Sequence, residues 1–172
     1  MKDLLLLRHA KSGWDNPELA DADRPLSKRG RKAGVRLAGW FQTRKCRPSL
    51  ILCSSARRTR ETLDLLLPAW PKPPEIRYLE RLYLAEPDEL MACVQEVSDA
   101  TPSVLLIGHN PGLQEMALLL LPESQADIRA RIDAKFPTGA LIRLSSRARS
   151  WSRLVPGKLK LVEYVTPAEL QD

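Results

Sequence analysis

The sequence predicts an α/β protein, a three-layer α/β/α sandwich whose sheet is mostly parallel and turns antiparallel at its C-terminal end. Three observations carry that prediction. Apolar runs of strand length recur at Leu4 to Leu7, Leu50 to Cys53 and Ser103 to Gly108, and Ile76 to Leu79 looks like a further strand. The segments between them place apolar residues at helical spacing. After Pro137 the alternation stops, and strand-like runs follow one another without helices between them. A chain of 172 residues can bury a substantial core, and no composition break divides it, so residues 1–172 read as one domain.

The first strand ends abruptly at Arg8-His9, and a polar loop from Lys11 to Arg24 follows. Ser27 reads as the N-cap of a helix running to about Arg44, with Ala33, Leu37, Ala38 and Phe41 on its inner face. Gly30 and Gly34 are expected to let that helix approach the sheet closely. After the second strand, Thr59, Thr62, Leu63 and Leu66 mark a second helix that stops before Pro68. The prolines from Pro68 to Pro74 can form only a connector. Pro87 opens a third helix carrying Leu90, Val94 and Val97. Asn110 is expected to cap a fourth, with Pro111 at its first position and Leu113, Met116, Ala117 and Leu120 facing inward. The charged stretch from Pro122 to Pro137 reads as a short helix or an excursion over the mouth of a cleft. Ala140 to Leu144, Trp151 to Leu154 and Leu159 to Val165 read as strands, the last two joined antiparallel by a turn at Pro156-Gly157.

The chain has two histidines, and both stand at the end of an apolar strand. His9 follows Leu4-Leu5-Leu6-Leu7-Arg8, and His109 follows Val104-Leu105-Leu106-Ile107-Gly108. Ligands of parallel sheets bind beyond the carboxyl ends of the strands, so neighbouring strands of this kind would bring both imidazoles into one crevice. Arg8 and Arg58 could supply forked donors to phosphoryl oxygens, and the helix that starts near Asn110 adds a positive dipole end. An imidazole has an ordinary pKa of about 6.5, and nearby arginines disfavour its protonated form. A neutral His9 could therefore attack phosphorus, giving a phosphohistidine that water then releases.

Other chemistries are weaker. Lys11-Ser12 lacks the glycines of a phosphate-binding loop. Thr59 stands where a cysteine phosphatase loop built on Cys53 would need its arginine. Gly108 and Gly112 do not make a dinucleotide fingerprint, and Asp15, Asp21 and Asp23 with His9 make a poor metal site, so no metal or cofactor is expected. Cys46, Cys53 and Cys93 form neither a disulfide framework nor a zinc motif, in keeping with a reducing cytoplasm. The net charge of +6, from 27 Lys+Arg and 21 Asp+Glu, favours anionic ligands. The basic residues lack the interleaved aromatics of a nucleic-acid binder, and no apolar run reaches membrane-spanning length.

These motifs together resemble the histidine phosphatase superfamily, which includes the cofactor-dependent phosphoglycerate mutases. Leu7-Arg8-His9-Ala10 is similar to its Arg-His-Gly signature, Ser54-Ser55-Ala56-Arg57-Arg58-Thr59-Arg60-Glu61-Thr62 to its second arginine motif, and Gly108-His109-Asn110-Pro111-Gly112 to its second histidine motif. Asp23-Arg24-Pro25-Leu26-Ser27 and Phe136-Pro137-Thr138-Gly139-Ala140 resemble the compact SixA-type phosphohistidine phosphatases.

The resemblance implies a phosphoglycerate mutase-like fold and a metal-independent phosphatase with His9 as the phosphorylated nucleophile. Arg8, Arg58 and His109 would bind the phosphoryl oxygens. Arg24 and Ser12 would line the substrate pocket, and Asn110 would act through capping and backbone position. Glu80 sits where the mutases carry their acid. Ala10 replaces the usual glycine and is expected only to narrow the pocket floor. The implied partner is a phosphorylated protein, with a small phosphorylated metabolite or a non-catalytic phosphate-binding role as the alternatives.

Overall fold

The computed structural model describes residues 1–170. One six-stranded sheet runs β3-β2-β4-β1-β5-β6. Its strands are β1 (Lys2–Arg8), β2 (Leu50–Ser54), β3 (Glu75–Leu79), β4 (Ser103–Gly108), β5 (Leu141–Ser146) and β6 (Lys160–Val165). β1 pairs in parallel with β4, β4 with β2, and β2 with β3. β5 runs antiparallel to both β1 and β6. The mostly parallel sheet with an antiparallel end is therefore the observed topology.

The helices are α1 (Lys28–Thr43), α2 (Arg57–Leu66), α3 (Pro87–Gln95), α4 (Gly112–Leu120) and α5 (Ala126–Ala134). Strand side chains alternate between two cores, one on each face. Leu5, Leu7, Ile51, Cys53, Leu105 and Ile107 pack with Leu37 and Phe41 of α1 and Leu63 and Leu66 of α2. Leu4, Leu6, Leu50, Leu52, Val104 and Leu106 pack with Leu90 and Val94 of α3, Leu113 and Met116 of α4, and Ile132 of α5. Burial on both faces explains why these strands read as continuous apolar runs and not as alternating ones.

Local signals set the helix boundaries. The Ser27 hydroxyl accepts the Gly30 N–H at 3.0 Å and caps α1. Gly30 does allow a close approach, although its neighbour is the loop after β1 and not the sheet: a Cβ there would lie 2.0 Å from the Lys11 carbonyl oxygen. Gly34 makes the same kind of room for Leu65 of α2. These two glycines set helix-to-loop and helix-to-helix distances.

Trp151 to Leu154 is not a strand. Trp151–Arg153 is a single 3-10 turn, and Trp151 and Leu154 are its buried anchors. Their spacing of three matches one turn of helix, and the Trp151 indole N–H donates to the Thr101 carbonyl at 2.8 Å. The turn at Pro156-Gly157 accordingly closes no hairpin. The Gly157 N–H donates to the Leu119 carbonyl at the end of α4, and β6 goes on to pair with β5. The stretch from Pro122 to Pro137 contains α5, whose Arg131, together with Lys135 just beyond the helix, reaches a cleft at the carboxyl edge of the sheet.

Candidate active site

The parallel register that sets Arg8 opposite Gly108 places His9 beside His109. The His9 N–H donates to the Gly108 carbonyl at 3.1 Å, and the two imidazole centroids are 5.2 Å apart. Both rings line a cleft of about 870 Å³, together with Arg8, Ser12, Arg24, Arg58 and Asn110. Seven of the eight site residues expected from the sequence are thus brought to one place.

His9 is buried, and its Nδ1 lies 2.7 Å from the Ala10 carbonyl oxygen. A carbonyl only accepts, so this contact assigns the proton to Nδ1 and the lone pair to Nε2. Burial, opposed by the bond to Ala10 and reinforced by the charges of Arg58, Arg8 and Arg24, pushes its pKa down to about 4. The ring is neutral at pH 7, and Nε2 is an available nucleophile.

Three arginines surround it. The Arg58 Nε–H donates to His9 Nε2 at 3.3 Å. Its other nitrogens are anchored on Asp21, at 2.7 Å from the backbone oxygen and 3.0 Å from Oδ2. Arg8 donates to the Phe136 carbonyl at 2.9 Å, and burial followed by the Arg58 charge lowers its pKa. Arg24 donates to Ser12 Oγ at 2.7 Å, pairs with Asp21 at 3.2 Å and lies 3.4 Å from the centroid of the Trp14 ring. Arg8 Nε, Arg24 Nη1 and His109 Nδ1 are buried without a hydrogen-bond partner. An anion in the cleft is what such donors need.

His109 is held the other way round. Its Nε2 lies 2.7 Å from the fully buried Ser54 hydroxyl, while Nδ1 is free. The Ser54 hydroxyl has no other acceptor among the described residues, so its proton goes to His109 Nε2, while its oxygen accepts the Ala56 N–H at 3.5 Å. Nδ1 then carries the ring proton and is a donor. Burial, with the neighbouring His9 ring and the Arg58 charge behind it, lowers the His109 pKa to about 3.

Three expectations change. Glu80 is exposed and is not among the residues lining the cleft. It opens a 3-10 turn after edge strand β3, which is three strand spacings, about 14 Å, from β1. The buried anchor of that turn is Leu82, and the residue delivered to the site is Tyr83. Asn110 does not cap α4, because Pro111 occupies the N-cap position. Its amide instead donates to the Phe136 carbonyl at 3.0 Å and to Gln114 at 3.1 Å, tying the second histidine loop to the segment that also receives Arg8. Ala10 does not form the pocket floor. It is fully buried, and its N–H donates to Thr62 Oγ1 at 3.0 Å.

Asp21, Tyr83 and Ser54 are the partners that site reasoning from the sequence missed. Asp21 Oδ2 accepts from both Arg58 and the Tyr83 hydroxyl, and the Tyr83 ring meets His109 edge-on with centroids 5.4 Å apart. The Tyr83 bond first, then Arg58 and Arg24, outweigh desolvation and keep the Asp21 carboxyl below its usual range. The nearness of Asp21 to Arg24 in sequence was the only hint. Among the described residues no group of three His, Cys, Asp or Glu side chains could hold a metal, and no helix is long and apolar enough to cross a membrane.

Comparison with known proteins agrees with this geometry. A family model of the histidine phosphatase superfamily (branch 1) matches residues 4–83. An uncharacterized protein of Mycobacterium tuberculosis is 36% identical over 167 residues, covering 94% of this chain and 99% of its own. A crystal structure assigned as phosphohistidine phosphatase SixA from Agrobacterium tumefaciens superposes with a TM-score of 0.82 at 28% identity, covering 96% of this chain and 98% of its own. The SixA structure from Nakamurella multipartitia, assigned the same activity, gives a TM-score of 0.83 at 26% identity and covers 96% of both chains. The chain belongs to the histidine phosphatase superfamily, in its SixA-type branch.

Proposed function

We propose that this protein hydrolyses phosphohistidine on a phosphorylated protein through a covalent phosphate on His9, without a metal. The observation that carries the reading is the state of His9: a neutral imidazole whose unprotonated Nε2 is engaged only by the Arg58 Nε–H, facing a cleft ringed by Arg8, Arg24, Arg58 and His109. In the first step Nε2 attacks phosphorus and the bond from phosphorus to the substrate nitrogen breaks. Arg58 turns its Nε–H from His9 to a phosphoryl oxygen, and Arg8 and the His109 Nδ1–H take the others. In the second step water attacks phosphorus, the bond to His9 breaks, and phosphate leaves. The Ala10 carbonyl keeps the proton on Nδ1 throughout, so His9 departs as a neutral imidazole and not as an anion.

The choice of a nitrogen leaving group rests on proton supply. Among the described residues no carboxyl group lines the cleft, and Asp21 is held ionised by its partners. An alkoxide leaving group needs an acid beside it. A substrate imidazole can take its proton from water on the ring nitrogen remote from phosphorus. The likeness to SixA proteins from Agrobacterium and Nakamurella, both assigned as phosphohistidine phosphatases, supports the same choice.

The test is phosphate release, in the presence of a chelator, from a phosphohistidine peptide and a phosphoserine peptide side by side. Wild type is expected to release phosphate from the phosphohistidine peptide alone, and the His9→Ala variant from neither. Release from both peptides would make the protein a general phosphatase. Release from neither, with retention of phosphopeptide, would make it a binding module, and retained activity in His9→Ala would remove the nucleophile assignment.

A further inference from the structure

Outside the inner ring of arginines, the cleft is lined by a second set of cations: Lys11 after β1, Arg29 at the start of α1, Arg131 on α5 and Lys135 just beyond it. Arg131 is paired with Glu169 and lies 4.9 Å from the centroid of the Tyr164 ring. The side chains of Lys11, Arg29 and Lys135 are exposed and have no ion-pair or hydrogen-bond partner among the described residues. Several arginines elsewhere on the surface are matched: Arg57 with Glu61, Arg77 with Glu75, Arg81 with Glu89 and Glu96. Unmatched like charges brought together by three separate segments repel one another, and an anionic partner relieves that repulsion.

The same cleft carries two exposed apolar groups. Trp14 is 73% exposed although Arg24 covers one face of its ring, and Leu84 is 50% exposed. Leu84 also sits at φ +49, in the left-handed region that a bulky residue adopts at a cost. A small polyanion would engage the cations and leave both apolar groups in water. A protein surface would cover them.

We infer that the outer cleft is a docking surface for an acidic protein segment flanking the phosphorylated residue, read by Lys11, Arg29 and Lys135, with Trp14 and Leu84 covered by apolar side chains of the same partner. The inference rests on the phosphoprotein reading of the active site and adds to it a rule for choosing among phosphoproteins.

The experiment compares three substrates: a phosphohistidine peptide with acidic flanks, one with neutral flanks, and free phosphoimidazole. Wild type is expected to prefer the acidic peptide. In the triple variant Lys11→Gln/Arg29→Gln/Lys135→Gln, kcat/KM for the acidic peptide should fall about tenfold or more, chiefly through KM. Turnover of the neutral peptide and of phosphoimidazole should stay unchanged, which also reports that the variant is folded. As an independent measure on wild type, raising salt from about 0.05 to about 0.3 M should weaken the acidic peptide and leave phosphoimidazole nearly untouched.

Equal turnover of acidic and neutral peptides by wild type would overturn the inference alone. So would an equal loss on phosphoimidazole in the variant. Competition by a small bisphosphate that the variant abolishes, with no effect of peptide charge, would give this rim to a small polyanion instead. Failure of wild type to turn over any phosphohistidine substrate would instead remove the underlying reading of the site.

Discussion

The two strand ends that carry His9 and His109 look alike in sequence and do opposite things. Each is a buried parallel strand closing on a histidine, and the strands lie side by side. At His9 the backbone oxygen of Ala10 holds Nδ1 and leaves Nε2 unprotonated, its lone pair met only by the Arg58 Nε–H, which suits attack once Arg58 turns to the phosphoryl group. At His109 the Ser54 hydroxyl holds Nε2 and leaves Nδ1 as a donor, which suits binding a phosphoryl oxygen. What separates nucleophile from ligand is which ring nitrogen the neighbour engages.

That difference can be broken most sharply at the rings themselves. His9→Ala should reduce phosphohistidine turnover by about 10⁴-fold or more, because no covalent path remains, whereas His109→Ala should lose about 10²-fold with the phosphoenzyme still forming. Single-turnover assays quenched in alkali, which preserves the acid-labile phosphate on a histidine nitrogen, would separate the two. Equal loss, with no trapped phosphate in His109→Ala, would mean that the roles are not divided in this way.

A gentler cut removes the neighbour and keeps the ring. Ser54→Ala frees His109 Nε2 and lets the ring sample both tautomers, so kcat should fall about tenfold with KM less affected. Ser54→Thr, which keeps the hydroxyl, should restore most of it. An unchanged kcat in Ser54→Ala would remove the tautomer argument for His109.

Acid should act on both histidines through stability. Each has its pKa lowered in the folded protein, to about 4 for His9 and about 3 for His109, from the usual 6.5. Below the unfolded value the unfolded chain binds protons that the folded one refuses. The stability present above pH 6.5 is therefore lost as pH falls, down to about pH 4 for His9 and about pH 3 for His109. The loss is at most about 3 kcal/mol for His9. Urea titrations between pH 7 and pH 5 should show the decline, and His9→Ala should flatten it. A decline of the same slope in that variant would mean that other groups dominate.

The smallest effect should come from Glu80. It lies outside the cleft lining, so Glu80→Gln is expected to change phosphohistidine turnover by less than about twofold. A selective loss on oxygen esters would restore it as an acid that reaches the site during catalysis.

Much of the molecule was readable in the chain itself. Apolar runs marked β1, β2 and β4, Ser27 announced α1, and two histidines at strand ends announced the cleft, because burial and capping leave local periodic traces in sequence. Trp151 to Leu154 misled because short apolar stretches do not distinguish a strand from one helical turn. The Asn110 expectation failed because whether a side chain caps a helix depends on where it finds its partner, here the Phe136 carbonyl of a distant segment.

The sequence by itself determined that the sheet would be buried on both faces and that His9, Arg8, Arg58 and His109 would meet at its carboxyl edge. Tertiary structure alone decided their working states. It brought Ser54 to His109 across 55 residues and Asp21 to Arg58 across 37, seated Tyr83 at the site and left Glu80 outside it. A lone pair, a tautomer or a held carboxylate is set by atoms within about 3 Å. Those atoms come from parts of the chain that no local pattern connects.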